Sequence, residues 1–409
     1  MSKTVIIGVG AAGLMAAVCA AKNGHNVIVV EKMERPARKI MITGKGRCNV
    51  TNDCDNATLI ANMTKNGRFL YSAFSAFSSA DTIDFFESCK VPLKTERGNR
   101  VFPVSDKSVD IADALVSSCK GIGVKFIRGE AAEILVKDNS VTGVLLKNGD
   151  EIKSDAVILA TGGKSYPLTG STGDGYIMAE KLGHTVTELV PSLVPLKIHQ
   201  SFCAKIMGLT LKNVELSVYF GEGKKPVYQK QGEMLFTHFG ISGPLVLSAS
   251  AHMRKNNGKD YKLFIDLKPA LTDEQLYKRL NRDFLENSNK NLVNSLDKLL
   301  PKSLISIIIN LSGVSPDTKV NQITKKQRAE ICRVIKALPL NSTGFRDIEE
   351  AIVTSGGINV KEINPATMES KLINNLFFAG EIIDVDAYTG GFNLQIAFST
   401  GYLAGGSVK

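Results

Sequence analysis

Gly8, Gly10 and Gly13 stand between two apolar runs in TVIIGVGAAGLMAAVCAAKNGHNVIVVEK, and few folds accept that spacing. A strand, a tight glycine turn, an Ala-rich helix and a second strand ending at Glu31 make a βαβ unit suited to a dinucleotide. Gly8 permits the turn, Gly10 lets a diphosphate approach the backbone, and Gly13 lets the helix pack on the strand. Ala12 lies in the same turn. The helix N-terminus offers free N–H groups and the positive end of its dipole to phosphate. Glu31 is placed to accept hydrogen bonds from a ribose.

The same stretch could imitate a signal peptide, with Cys19-Ala20-Ala21 as cleavage site, but three glycines and a lone Lys3 ahead of them argue otherwise. Lys22 and Asn23 cut the apolar run too short for a membrane span. A cytoplasmic protein without a membrane partner is expected. Seven cysteines without a CxxC pair suit a reducing compartment, and five scattered histidines without paired spacing predict no metal.

The net charge of +10 raises the question of nucleic acid. Arg35, Arg38, Lys39, Lys45 and Arg47 crowd beside the phosphate loop, and Lys319, Lys325, Lys326, Arg328, Arg333 and Lys336 read as one solvated helical face. No aromatic residues interleave with either cluster as a stacking platform would require, which weighs against a nucleic-acid partner.

A helical pattern runs from Gly67 to Lys90, and Ser105 or Asp106 is placed to cap a helix ending at Gly121. Alternating runs from Val124 onward, with turns at Asp138-Asn139 and Asn148-Gly149, form a small antiparallel element feeding the buried strand Ala156 to Ala160. Short alternating runs from Pro191 to near Pro269 read as a β-rich module. Residues 271 to 338 are helical in pattern, opening on a Thr272 cap.

Two further segments carry chemistry. DAVILATGG delivers Thr161 and Gly162 at the C-terminal end of a buried strand, the edge where a cofactor lies in a doubly wound sheet. NLFFAGEIIDVDAYTGGFNLQIAFSTG brings Gly380 and Glu381 at a strand end, then a glycine loop at Gly391 that opens a helix at Asn393 and Leu394. The acid can hold a polyol, and the helix start can face the negative charge of a reduced flavin. Arg47 and Asn49, near Gly46, are typical polar residues of a cofactor loop. Asp174 after Gly173 reads first as a helix cap and second as a cofactor-side group. Cys48 has no partner thiol at exchange spacing.

Together these pieces resemble the two-dinucleotide-binding flavoprotein superfamily, in which FAD lies extended across one Rossmann-like domain. RKIMITGKGRCNVTN and GEMLFTHFGISGPLVLSAS narrow the likeness to the bacterial flavoprotein family that includes aminoacetone oxidase and a dehydro-bile-acid reductase. It runs over nearly the whole chain. Val9 and Lys45 depart from it, standing where glycine is common. The resemblance implies non-covalent FAD, with Glu31 and Lys32 at the adenosine ribose and Arg38 and Lys39 near the diphosphate. Arg47 and Asn49 would lie near the ring, Glu381 on the ribitol, Asn393 and Leu394 in backbone contact, and Ala132 at the adenine.

The expected architecture is α/β: a discontinuous Rossmann-like FAD domain (1–190 and 341–409) interrupted by a β-rich, barrel-like insertion (191–270) and a helical insertion (271–340). The expected enzyme is an FAD-dependent oxidoreductase moving a hydride between flavin N5 and a small organic substrate bound between the flavin and the insertions. Enone reduction with NAD(P)H comes first, oxygen-dependent amine oxidation second, and an RNA-associated flavoprotein third. No second βαβ fingerprint with an acidic ribose residue is present, so either NAD(P)H would dock transiently in the substrate cleft or oxygen would reoxidise the flavin. Tyr166, His238 and Arg47 are the candidates for proton transfer.

Overall fold

The computed structural model describes residues 2–409 and divides into two compact units, Met1–Ser192 with Ile348–Lys409, and Leu193–Asp347. The first is built on a five-stranded parallel sheet in the order Leu376–Phe378, Ala156–Leu159, Lys3–Ile7, Asn26–Glu31, Lys125–Arg128. Its central strands are apolar without alternation because both faces are covered, and Val5, Ile6, Val29 and Val157 are buried. Helix Ala11–Lys22 follows the first strand, and helix Phe392–Gly406 closes the unit.

Those two helices meet backbone to backbone. A Cβ on Gly401 would lie 2.3 Å from the Ala12 carbonyl oxygen, and one on Gly405 would lie 2.3 Å from that of Ala16. Both approaches advance in the same direction along both chains, so the helices run in the same sense. The Phe392 start lies nine residues ahead of Gly401, so it projects about 14 Å beyond the level of Ala12 at 1.5 Å per residue.

Beside the sheet, Ala131–Lys137, Ser140–Leu146 and Glu151–Lys153 form the expected antiparallel element. Its Asp138-Asn139 turn has φ of 51° and 57°, the primed geometry that matches strand twist. The helical pattern from Gly67 to Lys90 takes the form of a 3-10 turn Gly67–Leu70 and helices Tyr71–Ala76 and Ser79–Ser88, with a break at an extended Phe77. A capping box of Ser78 and Asp81 restarts it. The next helix, Ser108–Gly121, has Lys107 as its cap residue. Neither Ser105 nor Asp106 caps it, because Ser105 bonds the Asp110 carboxylate and Asp106 takes a left-handed φ of 57° to meet basic side chains.

The second unit is a closed six-stranded antiparallel barrel. Its strands are Leu196–Ile198, Gly240–Ser242, Tyr228–Thr237, Thr210–Phe220, Lys259–Asp266 and Leu338–Phe345, in that order around the barrel. Leu216, Val218, Leu263, Ile265 and Leu340 fill its interior. Because the last strand returns after the helices Asp273–Glu286, Lys302–Ser312 and Lys325–Lys336, the helical segment is an excursion from the barrel, which extends past residue 341. Thr272 caps the first of these helices as expected. The basic residues of this region do not share one solvated face: Lys319 precedes the helix, Arg333 pairs with Glu330, and Lys336 is tied to Asp266 and the Leu271 carbonyl. Among the described residues, no helix is long and apolar enough to cross a membrane.

Candidate functional site

The three glycines of the first turn have separate reasons to be glycine. Gly8 holds φ +95° with a Cβ position 2.6 Å from the Ala160 carbonyl oxygen, and a Cβ on Gly13 would sit 2.0 Å from the Gly8 oxygen. Gly10 faces open space, with nothing within 4 Å of its Cβ position. The fold therefore requires Gly8 and Gly13, while Gly10 keeps clear the approach to the helix start.

Helix Ala11–Lys22 begins at Gly10 without a side-chain cap or an acid in its first turn. Its first intrahelical bond runs from Leu14 N–H to the Gly10 carbonyl, which leaves the amides of Ala11, Ala12 and Gly13 for an anion. Val9 is buried, so a side chain is accommodated there, and its backbone is pinned twice. Its amide donates to Glu31 Oε2 at 2.9 Å, and its carbonyl accepts from Ala37 N–H at 2.8 Å. Glu31 also takes the Met33 amide at 2.9 Å, and each carboxylate oxygen keeps a lone pair for a ribose hydroxyl.

The Ala37 bond holds Arg38 beside the phosphate loop, where its half-buried guanidinium has no hydrogen-bond or ion-pair partner among the described residues. Lys39 is engaged: Nζ lies 2.6 Å from both Ser165 Oγ and Glu381 Oε2. Glu381 further accepts from the Thr354 amide at 2.8 Å and from the Ser165 hydroxyl at 3.1 Å. A Cβ on Gly163 would collide with Thr354 Oγ1 at 2.5 Å and Glu381 Oε1 at 2.8 Å. Gly162 takes φ +76° beside Ser171. Two residues expected at different parts of a cofactor, Lys39 and Glu381, thus share one node. Ser165 and Thr354, which join it, carry no local sequence signal beyond lying next to glycine turns.

Lys32 bonds Thr172 Oγ1 at 2.5 Å and pairs with Asp174. Asp174 does not cap its helix by a side-chain bond, since Gly173 occupies the cap position at φ +89°. Burial opposes ionisation of Asp174, but its bonds to Lys32 and Thr172 outweigh that and hold the carboxyl below its ordinary value.

The GKGRCN loop turns through left-handed φ at Gly44, Lys45, Gly46 and Cys48. Lys45 adopts this conformation in place of the common glycine and is exposed. Arg47 donates to Asp106 at 2.8 and 2.6 Å and to Glu96, and lies 4.2 Å above the Phe102 ring. Glu96 and then Asp106 push its basicity up, so Arg47 is a poor proton donor. Asn49 Oδ1 is buried without a partner among the described residues, as is Thr161 Oγ1. An orphaned buried acceptor costs about 1–3 kcal/mol unless a ligand donor meets it. Cys48 is fully buried, and burial pushes its thiol up to about 12 against a weaker opposing bond from Thr43; burial raises Cys54 to about 11.

At the far end of the cradle, helix Phe392–Gly406 starts at Gly391 without a side-chain cap. Gly391 has φ +98°, and a Cβ there would lie 2.3 Å from the Thr51 backbone. Thr51 Oγ1 bonds Gln395 Oε1 at 2.6 Å, and Asn52 Nδ2 donates to the Gly390 carbonyl at 3.0 Å. The TN pair thus fastens the helix start. Asn393 spends its side chain on Ala387 and Tyr388, and Gln395 N–H makes the first intrahelical bond. The amides of Phe392, Asn393 and Leu394 are left for a ligand. Gly380, at φ +78°, would place a Cβ 2.7 Å from that of Ala12. Ala132 falls in a bulge between the pairs Ala131–Leu146 and Glu133–Leu145, so its backbone stands outside the ladder.

Of the remaining candidates, Tyr166 is half-buried at φ 52°, with its amide on the Glu349 carbonyl at 3.1 Å. Burial, then the charge of Glu350, raises its phenol and keeps it neutral. His238 belongs to the barrel unit, exposed at a hairpin turn with its ring edge-on to Phe239.

Two uncapped helix starts about 12 Å apart along their axes, an acid bound to the backbone of the first turn and an orphaned acceptor, Asn49 Oδ1, in the GKGRCN loop fit an extended dinucleotide with a ring system at one end. Comparison with known proteins agrees. A profile of the HI0933-like protein Rossmann domain matches residues 2–407. A 3-dehydro-bile acid delta(4,6)-reductase of Clostridium scindens is 32% identical over 409 residues, covering 99% of this chain and 98% of that protein. A ribosomal RNA dihydrouridine synthase of Haemophilus influenzae is 31% identical over 413 residues, covering 100% and 98%; that of Escherichia coli is 29% identical over 399 residues, covering 97% and 96%. The solved 3-ketosteroid-delta4-(5alpha)-dehydrogenase from Rhodococcus jostii RHA1 shares the fold at a TM-score of 0.54 and 15% identity, over 99% of this chain and 96% of that one. The chain is a member of the HI0933-like family of FAD-dependent oxidoreductases.

Proposed function

We propose that the chain reduces a carbon–carbon double bond conjugated to a carbonyl group. The observation that carries this is the chemistry shared by its full-length relatives, a dehydro-bile-acid reductase and two dihydrouridine synthases. An enone ring and the uracil ring both present such a bond. Each reduction adds a hydride to the β-carbon and a proton to the α-carbon.

Bound FAD supplies the hydride at N5, with NAD(P)H the proposed source of electrons. The amides of Ala11 to Gly13, with Arg38, would hold the diphosphate; Glu31 would hold the adenosine ribose and Ala132 the adenine. The amides of Phe392 to Leu394 would face negative charge on the ring, and Asn49 Oδ1 would accept a ring N–H. Glu381, steadied by Lys39, would take a ribityl hydroxyl. Tyr166 is the proposed proton donor, since a neutral phenol can give its proton to the α-carbon. His238 is the alternative.

A second reading concerns what carries the double bond, and the distribution of charge favours RNA. Unit Leu193–Asp347 has 24 Lys and Arg against 13 Asp and Glu, a net +11, whereas the rest of the chain has 26 against 27. The basic excess thus lies wholly outside the nucleotide unit. Phosphate contacts to folded RNA need cations rather than stacking platforms, so the lack of interleaved aromatics weighs little against it.

The test is anaerobic. Flavin reduced by NADH or NADPH should be reoxidised by a 3-oxo-4-ene bile acid or by a ribosomal RNA fragment, followed by absorbance, with dihydrouridine assayed in the RNA. Reoxidation by oxygen and oxidation of aminoacetone, with neither unsaturated substrate turned over, would replace this reading with an amine oxidase.

A further inference from the structure

The helical excursion has two ends of different character. At the barrel end, Leu267 N–H bonds the Ile335 carbonyl at 3.0 Å and Lys336 Nζ bonds the Leu271 carbonyl at 2.7 Å. Lys336 also pairs with Asp266, so its charge is used internally. Helices Asp273–Glu286 and Lys325–Lys336 therefore run antiparallel, and the end of one and the start of the other form a tip away from this junction.

The chain crosses itself at that tip. Val320 N–H donates to the Lys290 carbonyl at 3.0 Å, Leu292 N–H to the Thr318 carbonyl at 2.9 Å, and Asn291 bridges Lys319. Lys290 and Lys319 are brought to one place, and Thr324 then caps the helix that opens with Lys325 and Lys326. All four lysines are exposed, and none has a side-chain hydrogen-bond or ion-pair partner among the described residues. Exposed Asn289, Asn321 and Gln322 lie among them as further donors. The acids nearby do not cancel the charge: Glu286 pairs with Lys298 at 3.3 Å, which leaves Asp317.

Lys325 and Lys326 also have the wrong sign for their place. A helix start favours acids, yet no acid stands in the first turn, and two cations face the positive end of the dipole. That arrangement costs stability in the free protein and is relieved when phosphate approaches. Pairing elsewhere in the excursion sharpens the contrast, since Lys278, Arg279 and Arg333 all have carboxylate partners.

We infer that this tip, Lys290, Lys319, Lys325 and Lys326, is a docking surface for the phosphate backbone of RNA. The inference rests on the RNA reading of the substrate. Its role is positioning: it adds affinity that is independent of base sequence and steeply dependent on salt.

The experiment compares the flavin-loaded parent with a variant carrying Lys290→Gln, Lys319→Gln, Lys325→Gln and Lys326→Gln. A control replaces four exposed lysines of the nucleotide unit, Lys22, Lys125, Lys137 and Lys153, with Gln. Binding of a labelled ribosomal RNA fragment is measured from about 50 to 300 mM salt, with flavin absorbance and thermal melting verifying the fold. The tip variant should bind at least about tenfold more weakly near 100 mM salt, and its log–log salt slope should be shallower by about 3, at about 0.7–0.9 for each phosphate no longer neutralised. The control should keep both within a factor of about 2. Equal slopes for parent and tip variant, with the parent binding RNA, would place the surface elsewhere and overturn this inference while leaving the RNA reading intact. No RNA binding by the parent would overturn both, and tip-dependent binding to anionic phosphatidylglycerol vesicles in its stead would assign the tip to a membrane surface.

Discussion

Lys39 Nζ stands 2.6 Å from Glu381 Oε2 across 342 residues of sequence, and the Ser165 hydroxyl touches both. The pair joins the basic loop after the second strand to the turn that follows the edge strand Leu376–Phe378 of the parallel sheet, so one carboxylate orders two walls of the cradle. Glu381→Gln keeps the shape and removes the charge, leaving Lys39 without its counter-ion. Loss of a charge-assisted hydrogen bond predicts FAD binding weaker by about 1.5–3 kcal/mol, read by titrating apo-protein with FAD and following flavin fluorescence. Unchanged affinity would remove Glu381 from the site.

Gly10 and Gly13 separate cofactor binding from folding. Gly10→Val places its side chain in open space and should give a colourless protein with the parent's circular dichroism. Gly13→Val drives a side chain onto the Gly8 carbonyl and should lower the melting temperature of the apo-protein as well. If Gly10→Val purifies yellow with stoichiometric FAD, the diphosphate is bound elsewhere.

His184 sets an acid limit on stability. It is buried, with Nε2 2.9 Å from Ser370 Oγ and its ring edge-on to Phe378. Burial lowers its pKa from the ordinary 6.5 despite the opposing Glu362 carboxylate. The unfolded state therefore binds the proton more readily. The stability this group contributes is complete above about pH 6.5 and is lost as pH falls below that through the lowered folded value. Melting temperature should fall more steeply between about pH 7 and 5 in the parent than in His184→Asn. Parallel curves would show that His184 does not titrate differently in the two states.

Tyr166 and His238 divide the proton-transfer question. Tyr166→Phe should keep the flavin spectrum and lower turnover by about 100-fold or more if the phenol is the donor. His238→Ala should then have a small effect, because the imidazole is exposed at a hairpin turn. The reverse pattern would assign the donor to His238, and full activity in both would exclude the pair.

The phosphate loop, the buried strands and the small antiparallel element were legible because each is contiguous. Glycine spacing, apolar runs and turn pairs such as Asp138-Asn139 report geometry settled within a few residues. The break at Phe77 was not legible, since the helical periodicity continues across it and only the Ser78–Asp81 capping box marks the restart. Lys336 reads as a solvated cation in the sequence, and only the fold shows it tied to Asp266.

The sequence by itself determined that a glycine turn at Gly8, Gly10 and Gly13 opens the first helix, that an acid ends the second strand, and that a glycine turn opens the last helix, because strand, turn and helix propensities are local. Tertiary structure alone decided that Lys39 meets Glu381 through Ser165, that Thr51 and Asn52 fasten the start of the last helix, and that Arg47 is neutralised by Glu96 and Asp106. It also decided that Gly401 and Gly405 lay the last helix on the first, and that the basic excess falls in one unit. Each of these depends on which side chains the chain path brings within hydrogen-bonding or van der Waals distance across tens to hundreds of residues, and no local periodicity encodes that path.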